Sequence, residues 1–215
     1  MGRKVLLGCG ILSSLLYVAA NVLGARCWRG YSLTSHTVSE LSAIGAPSRP
    51  LVIPLLTTHG ALVIPFGLGV WESAGRRRAL RVTGALLVGL GASDLPAPFF
   101  PMHRREALAR GEGSRTDTMH IILTSVNSLL ILLAIGFGST AFGKRFRLYS
   151  IATILVLVVT GGLTATQASR VEANLTTPWA GVTERMSIGG YLLWQMALAV
   201  ALLRMRAGGP LRRQA

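Results

Sequence analysis

Six apolar stretches dominate the sequence, each about as long as a helix that crosses a lipid bilayer. They cover residues 5–24, 51–71, 80–98, 118–142, 148–168 and 186–203. About 20 apolar residues in an α-helix span the hydrocarbon core of a membrane. Because backbone polar groups in lipid must be satisfied within the segment, each stretch is predicted to be a transmembrane helix. We therefore expect an all-α bundle of six transmembrane helices that forms a single membrane domain over residues 1–215.

The composition excludes the common classes of soluble protein. Hydrophobic residues make up 51% of the 215 residues and charged residues only 14%, with a mean hydropathy of +0.52; a soluble domain carries about 25% charged residues. In a soluble protein the net charge of +14 would indicate a nucleic-acid partner. Here the basic residues lie mainly in short segments between the apolar stretches, so bilayer topology explains them. We expect membrane lipids, and no nucleic acid, as partners; the sequence identifies no oligomer or protein partner.

The two cysteines do not form a disulfide framework. Cys9 and Cys27 lie 18 residues apart, which corresponds to about 27 Å along one helix, far beyond the reach of a disulfide. A secreted disulfide scaffold is therefore excluded. The first apolar stretch is longer than the apolar region of a typical signal peptide, so we interpret it as a retained anchor.

The distribution of basic residues predicts the orientation of the chain. Thirteen of the 22 lysines and arginines lie on the side that carries both termini: Arg3, Lys4, Arg76, Arg77, Arg78, Arg81, Lys144, Arg145, Arg147, Arg204, Arg206, Arg212 and Arg213. Positive charge is enriched in short cytoplasmic loops. Both termini are therefore expected in the cytoplasm, and the outer loops are expected at residues 25–50, 99–117 and 169–185.

Acidic residues and histidines concentrate on the predicted outer side. Seven of the eight acidic residues lie there: Glu40, Asp94, Glu106, Glu112, Asp117, Glu172 and Glu184. Three of the four histidines, His36, His103 and His120, lie there too. The fourth, His59, is 8 residues into the second stretch, or about 12 Å deep. The titratable side chains are thus collected at one membrane face.

Residues 30–47, after the first stretch, contain the most distinctive local pattern. Thr37 and Glu40 have the spacing of a capping box, and Gly45 marks a helix end, so a short amphipathic helix is expected. His36 and Glu40 are four residues apart and would share a face of that helix. Two interpretations remain open: Glu40 only caps the helix, or it is a pocket-facing carboxylate paired with His36.

Polar residues also mark the outer ends of three other stretches. Positions 117, 120, 124 and 128 of the fourth stretch fall on one helical stripe, which favours a polar groove inside the bundle. The alternative is that Asp117 caps its helix and the hydroxyl groups bond back to the backbone. Asp94 ends the third stretch. Glu184 and Arg185 open the sixth, where they could also form no more than an interfacial ion pair.

We interpret the polar residues at this membrane face as one site. The candidates for general acid–base catalysis are Glu40, Asp117, His120 and Glu184. The candidates for binding are Ser39, His36, Asp94 and Arg185. The sequence identifies no cofactor. His59, His103 and His120 would suit zinc as nitrogen ligands, although no histidine pair has the spacing of a known zinc motif.

Four short motifs together resemble one known family. They are Val38-Ser39-Glu40-Leu41 followed by Gly45, the step Phe100-Pro101, the pair Asp117 and His120, and Gly181 with Glu184-Arg185. The family is the set of prokaryotic membrane proteins called domain of unknown function 998, and the resemblance covers essentially the whole chain. It implies a six-helix integral membrane protein without a settled activity. Where the family would place an acidic residue soon after the Phe-Pro step, this sequence has His103.

Three functional classes fit these observations. A lipid- or envelope-modifying hydrolase would use the carboxylates and histidines for acid–base or metal-assisted chemistry. A non-catalytic accessory protein would need no such site. A transporter or small-molecule binder would need polar stripes that continue through the membrane, whereas the inner parts of the second and fourth stretches are apolar. The excess of arginine over lysine, 20 to 2, is typical of a GC-rich genome, and we expect a bacterial plasma membrane.

Overall fold

Six long α-helices make up most of the protein, and the computed structural model describes residues 2–205. The helices are α1 (Arg3–Cys27), α2 (Arg49–Glu72), α3 (Arg78–Asp94), α4 (Arg105–Ala109), α5 (Arg115–Ser139), α6 (Lys144–Ala165), α7 (Ala168–Glu172) and α8 (Ala180–Arg204). Two short 3-10 turns cover Ser39–Ser42 and Ala97–Phe99. Six of these segments are long and apolar enough to cross a membrane. The prediction of an all-α bundle with six transmembrane helices is therefore confirmed.

The six long helices form a ring. Each packs against its neighbours in the order α1, α2, α3, α5, α6 and α8, and α8 returns to α1. One end of the ring carries the three long connections, residues 28–48, 95–114 and 166–179; we call it the loop-rich end. The other end carries the N-terminus and the end of α8, and we call it the terminal end. Arg206, Arg212 and Arg213, counted above on the side of the termini, lie outside the described residues.

Glycines allow α2 and α3 to approach each other closely. A Cβ atom added to Gly67 would lie 2.7 Å from the Val88 backbone nitrogen, and one added to Gly91 would lie 2.7 Å from the Gly60 carbonyl oxygen. Side chains larger than hydrogen would force these helices apart. The pair thus uses the small-residue contacts that are typical of membrane helices.

An apolar core fills the part of the ring near the terminal end. Phe66, Leu87, Ile135, Trp194 and Leu198 are all buried there. The Trp194 indole Nε1 donates a hydrogen bond of 2.9 Å to the hydroxyl of Ser150; a buried indole N–H needs such a partner. Buried polar side chains also occur within the ring, and they have protein partners there: the Gln195 side chain donates to the hydroxyls of Ser13 and Ser14.

The connection between α1 and α2 differs from its prediction. Residues 39–42 form a four-residue 3-10 turn instead of an amphipathic helix, and Glu40 and Leu41 within it are buried. The chain leaves the turn through Gly45, whose φ of +78° favours glycine. The Ile44 backbone nitrogen then donates to the Met102 carbonyl oxygen at 2.8 Å. This contact joins two of the three connections at the loop-rich end. We call these connections, residues 28–48, 95–114 and 166–179, the cap.

Helix α5 starts earlier than its apolar stretch. Ser114 and Asp117 form a capping box, which begins the helix at Arg115. All buried residues of α5 lie in its last six positions, Ala134, Ile135, Gly138 and Ser139 among them, while residues 115–133 are half-buried or exposed. Near the loop-rich end, α5 therefore packs loosely against the rest of the ring.

Candidate functional site

Glu40 and Arg105 form a buried ion pair in the cap. The Arg105 Nε donates to Oε1 of Glu40 at 2.6 Å, and its Nη2 donates to Oε2 at 2.7 Å. The Thr37 backbone N–H also donates to Oε2, at 2.7 Å. The carboxylate is 1% exposed. Its oxygens are thus fully used by Arg105 and by the capping contact.

Arg105 joins all three connections of the loop-rich end. Its Nη1 donates to the Thr177 hydroxyl at 3.2 Å, and that hydroxyl donates to the Ser35 carbonyl oxygen at 2.8 Å. Arg105 is not among the site residues predicted from the sequence. Several arginines, Arg104 and Arg110 among them, occur in the same connection, and no local pattern separates them.

His36 does not pair with Glu40. Its Nδ1 instead accepts a hydrogen bond of 3.0 Å from the Ser32 backbone nitrogen, and its ring stacks on Tyr31 with centroids 5.2 Å apart. Burial lowers the pKa of His36 below its usual value of 6.5. The histidine–carboxylate pair expected from the spacing fails because residues 36–40 do not form one continuous α-helix.

Glu184 and Arg185 hold the first connection on α8, through separate contacts. Glu184 accepts hydrogen bonds from the Val38 backbone nitrogen and, at 3.3 Å, from the Ser39 hydroxyl. Arg185 donates to the Leu33 carbonyl oxygen at 2.9 Å. The structure thus brings Ser39 and Glu184 together. Among the described residues Glu184 has no ion-pair partner within 4 Å.

Tyr31 supports Arg185 from the first connection. The Arg185 Nη2 donates to the Tyr31 hydroxyl at 2.6 Å, and that hydroxyl donates to the Thr37 carbonyl oxygen at 2.7 Å. Burial raises the pKa of Tyr31 to about 12, so the hydroxyl keeps its proton and remains a donor. Arg185 is therefore a structural anchor of the cap in this geometry.

Asp117 pairs with His103 rather than with His120. Its Oδ1 accepts from the His103 backbone nitrogen at 2.6 Å, and its Oδ2 accepts from the Ser114 backbone nitrogen at 2.8 Å. The His103 ring Nδ1 lies 2.8 Å from the same Oδ2. Asp117 therefore forms a capping contact at the start of α5, and the carboxylate also orients the connection before α5.

Only one ring nitrogen of His120 has a partner among residues 2–205. Its Nδ1 lies 3.2 Å from the Phe100 carbonyl oxygen. Since a carbonyl only accepts, this contact places the proton on Nδ1 and leaves Nε2 with a free lone pair. Nε2 is buried and receives no hydrogen bond from the described residues.

Asp94 lies in the interior of the ring beside α5. Asn127 donates through Nδ2 to the Asp94 Oδ1 at 2.7 Å, and the Ser93 hydroxyl donates to the Asn127 Oδ1. Asp94 Oδ2 receives no hydrogen bond from the described residues, and no lysine or arginine among them forms an ion pair with the carboxylate. His120 lies seven residues before Asn127, about two turns away on the same face of α5. We call Asp94, Asn127 and His120 the interior site.

The three histidines considered as zinc ligands each have a separate protein partner. His59 is 5% exposed, its Nδ1 lies 2.9 Å from the Ser13 carbonyl oxygen, and Tyr17 packs edge-on against its ring. His103 is held by Asp117, and His120 by Phe100. Residues 2–205 contain no group of three or more histidine, cysteine or acidic side chains that fits a metal ion. Since each histidine has its own protein partner and no such group forms among these residues, the structure does not assemble the expected zinc site.

Comparison with known proteins identifies the family. Searches of curated proteins and of solved structures returned no match. The model of one protein family matches residues 11–201, and its description is a protein of unknown function, DUF998. The match extends from α1 into α8 and so includes all six long helices. The chain therefore belongs to the DUF998 family of proteins of unknown function.

Proposed function

We propose that the protein is a membrane enzyme that hydrolyses a lipid or another amphiphilic envelope component at the interior site. The observation that carries this proposal is Asp94. Its carboxylate lies inside a helix ring without a cationic partner among the described residues, and its Oδ2 accepts no hydrogen bond there. Ionisable groups in such a setting are costly and usually serve a site. The unpartnered His120 Nε2 on the neighbouring helix adds a second group able to take up a proton.

The arrangement suits general acid–base hydrolysis of an ester. A water oxygen adds to the ester carbonyl carbon while the Asp94 carboxylate accepts the proton that the water releases. The bond from carbon to the leaving oxygen then breaks, and the same proton passes to that oxygen, giving an acid and an alcohol. Asn127 positions the carboxylate through Oδ1. The lone pair of His120 Nε2 is a further proton acceptor in the same interior.

The loose packing of α5 supports an amphiphilic substrate. Residues 115–133 are all half-buried or exposed, and we infer that a membrane molecule enters on this side of the ring, near Asn127 and His120. A lipid-like molecule could place its polar part inside the ring while its apolar chains remain in the bilayer. The apolar core at the terminal end argues against a polar path through the protein and thus against transport.

Glu40, Asp117 and Glu184 have positioning roles in this proposal. Glu40 and Asp117 hold the cap and the start of α5 through the contacts described above. Glu184 holds the turn at Ser39. The proposal further places the loop-rich end outside a bacterial plasma membrane, since positive charge is denser at the terminal end.

The test compares lipids in a bacterial host that expresses either the wild-type chain or a variant. Asp94→Asn keeps the size of the side chain and removes the carboxylate that accepts the proton. His120→Gln removes the basic ring nitrogen. We expect the wild type to deplete one lipid class and accumulate its cleavage product, and both variants to lose this change. The matched control is Glu112→Gln, which removes an exposed carboxylate and should behave as the wild type.

Equal membrane abundance and equal thermal stability of the variants would show that they fold. If wild type, Asp94→Asn and His120→Gln all leave the same lipid profile, the enzyme proposal is refuted. The second candidate, a non-catalytic accessory protein, would then be favoured. It is supported by Glu40 and Asp117, because the structure uses both of these outer carboxylates in internal contacts.

A further inference from the structure

An apolar groove runs along α3 on the membrane-facing surface and begins near the terminal end of the ring. It has a volume of about 390 Å³ and is lined by Trp71, Arg81, Val82, Ala85, Gly89 and Leu130 among others. The α3 residues of this lining extend from position 81 to position 89, about 12 Å along the helix. The groove is thus elongated along a membrane-spanning helix, as a lipid acyl chain is in a bilayer.

Gly89 leaves the groove open at the end that lies farther from Arg81. A Cβ atom added to Gly89 would meet no other atom within 4 Å. The glycine is therefore not required for helix packing, in contrast to Gly67 and Gly91 described above. The absence of a side chain at this position leaves open space along α3.

The other end of the groove is strongly basic. Arg81 is exposed, and its Nη2 donates to the Gly75 carbonyl oxygen at 2.6 Å. Arg76 and Arg77 lie in the connection between α2 and α3, and Arg78 is the first residue of α3. Within residues 2–205, none of these four arginines forms an ion pair with an acidic residue. Glu72 is exposed nearby. The four arginines and Glu72 together have a net charge of +3.

We propose that this groove binds one acyl chain of a phospholipid whose anionic headgroup contacts Arg81 and the neighbouring arginines. The apolar lining accounts for the chain, and the unpaired positive charge at one end accounts for the headgroup. Trp71, which is 48% exposed at the same end, lies where tryptophan side chains meet the headgroup region. The proposal depends neither on the orientation of the chain nor on the function proposed above.

The test measures lipid retention by the full-length protein after extraction from vesicles made of equal parts of phosphatidylglycerol and phosphatidylcholine, using native mass spectrometry. The wild type should retain phosphatidylglycerol in preference to phosphatidylcholine. Arg81→Gln should lower that preference about fivefold, since one basic residue near the surface contributes about that factor. Arg81→Lys should restore most of it.

Two matched variants separate the groove from general effects. Gly89→Leu fills the groove and should reduce retention of both lipids, whereas Gly162→Leu, at another glycine with open space around it, should not. Arg147→Gln removes a positive charge at the same end of the bundle but away from the groove, and should leave the preference unchanged. Equal retention of the two lipids by the wild type would overturn the proposal. So would an unchanged preference in Arg81→Gln together with unchanged lipid retention in Gly89→Leu.

Discussion

Arg105 donates two parallel hydrogen bonds to Glu40, from Nε to Oε1 and from Nη2 to Oε2. The two residues are 65 positions apart in the sequence, in different connections of the loop-rich end. A planar guanidinium matches the two oxygens of a carboxylate in a way that a lysine does not. Arg105 also donates to Thr177 in the third connection. The pair of Arg105 and Glu40 therefore holds the three connections of the cap together.

Glu40→Gln should destabilise the protein substantially. The variant leaves the Arg105 guanidinium buried without a counter-charge, and breaking such a pair costs about 3–5 kcal/mol. The measurement is the thermal unfolding temperature of the purified protein in detergent. Glu112→Gln is the control. Glu112 forms an exposed ion pair with Arg110, and its Arg Nε to Glu Oε1 distance of 2.6 Å equals that of the buried pair. An equal, small effect of the two changes would show that the cap does not depend on the buried pair.

Asp117→Asn should loosen the start of α5, although asparagine is usually a good helix cap. Each Asp117 oxygen accepts a hydrogen bond from a backbone nitrogen, one from His103 and one from Ser114. An amide supplies only one acceptor oxygen, so its NH₂ group must face one of these two donors. We expect faster hydrogen exchange at residues 103 and 114–118. Glu172→Gln, at an exposed acid, should leave exchange there unchanged; protection in Asp117→Asn equal to that in the wild type would contradict the prediction.

Stability should fall in mildly acidic solution in a manner that depends on His36. Burial holds the pKa of His36 below 6.5 in the folded protein, so below that pH the unfolded chain binds more protons than the folded one. Stability is therefore lost as the pH falls from 6.5 to the lower folded pKa. Nearby Glu40, Arg105 and Glu106 also act on this histidine.

The measurement for His36 is the unfolding temperature of wild type and His36→Gln across this pH range. The difference between the two proteins should be constant above pH 6.5 and should shift in favour of the variant below it. Because the other titratable groups are common to both proteins, the difference isolates His36. A difference that does not change with pH would refute the assignment.

The orientation is open to a direct test. Reporter fusions at Arg78 and Lys144, both near the terminal end, should report the cytoplasm. Fusions at Gly111 and Asn174, in connections of the loop-rich end, should report the outside. The expectation follows from the greater density of positive charge at the terminal end. A cytoplasmic signal at Gly111 would reverse the orientation and move the interior site to the cytoplasmic side.

The candidate site was only partly predictable from local patterns. The capping roles of Asp117 and Glu40 were open interpretations in the sequence, because a capping box depends on residues three apart and on the backbone between them. The spacing of His36 and Glu40 indicated a pair that the structure does not form. A spacing of four places side chains on one face only in a continuous α-helix, and residues 39–42 form a tighter turn.

The sequence by itself determined the six helices and their membrane-spanning character, because each long apolar stretch must satisfy its own backbone hydrogen bonds in lipid. It also collected the acidic residues at one end of the bundle. Only the tertiary structure decided which partner each acidic residue has: Glu40 is paired with Arg105, Asp94 with Asn127, and Glu184 with Ser39. These partners come from different helices and connections, whose relative positions follow from helix packing around the whole ring and leave no local trace in the sequence.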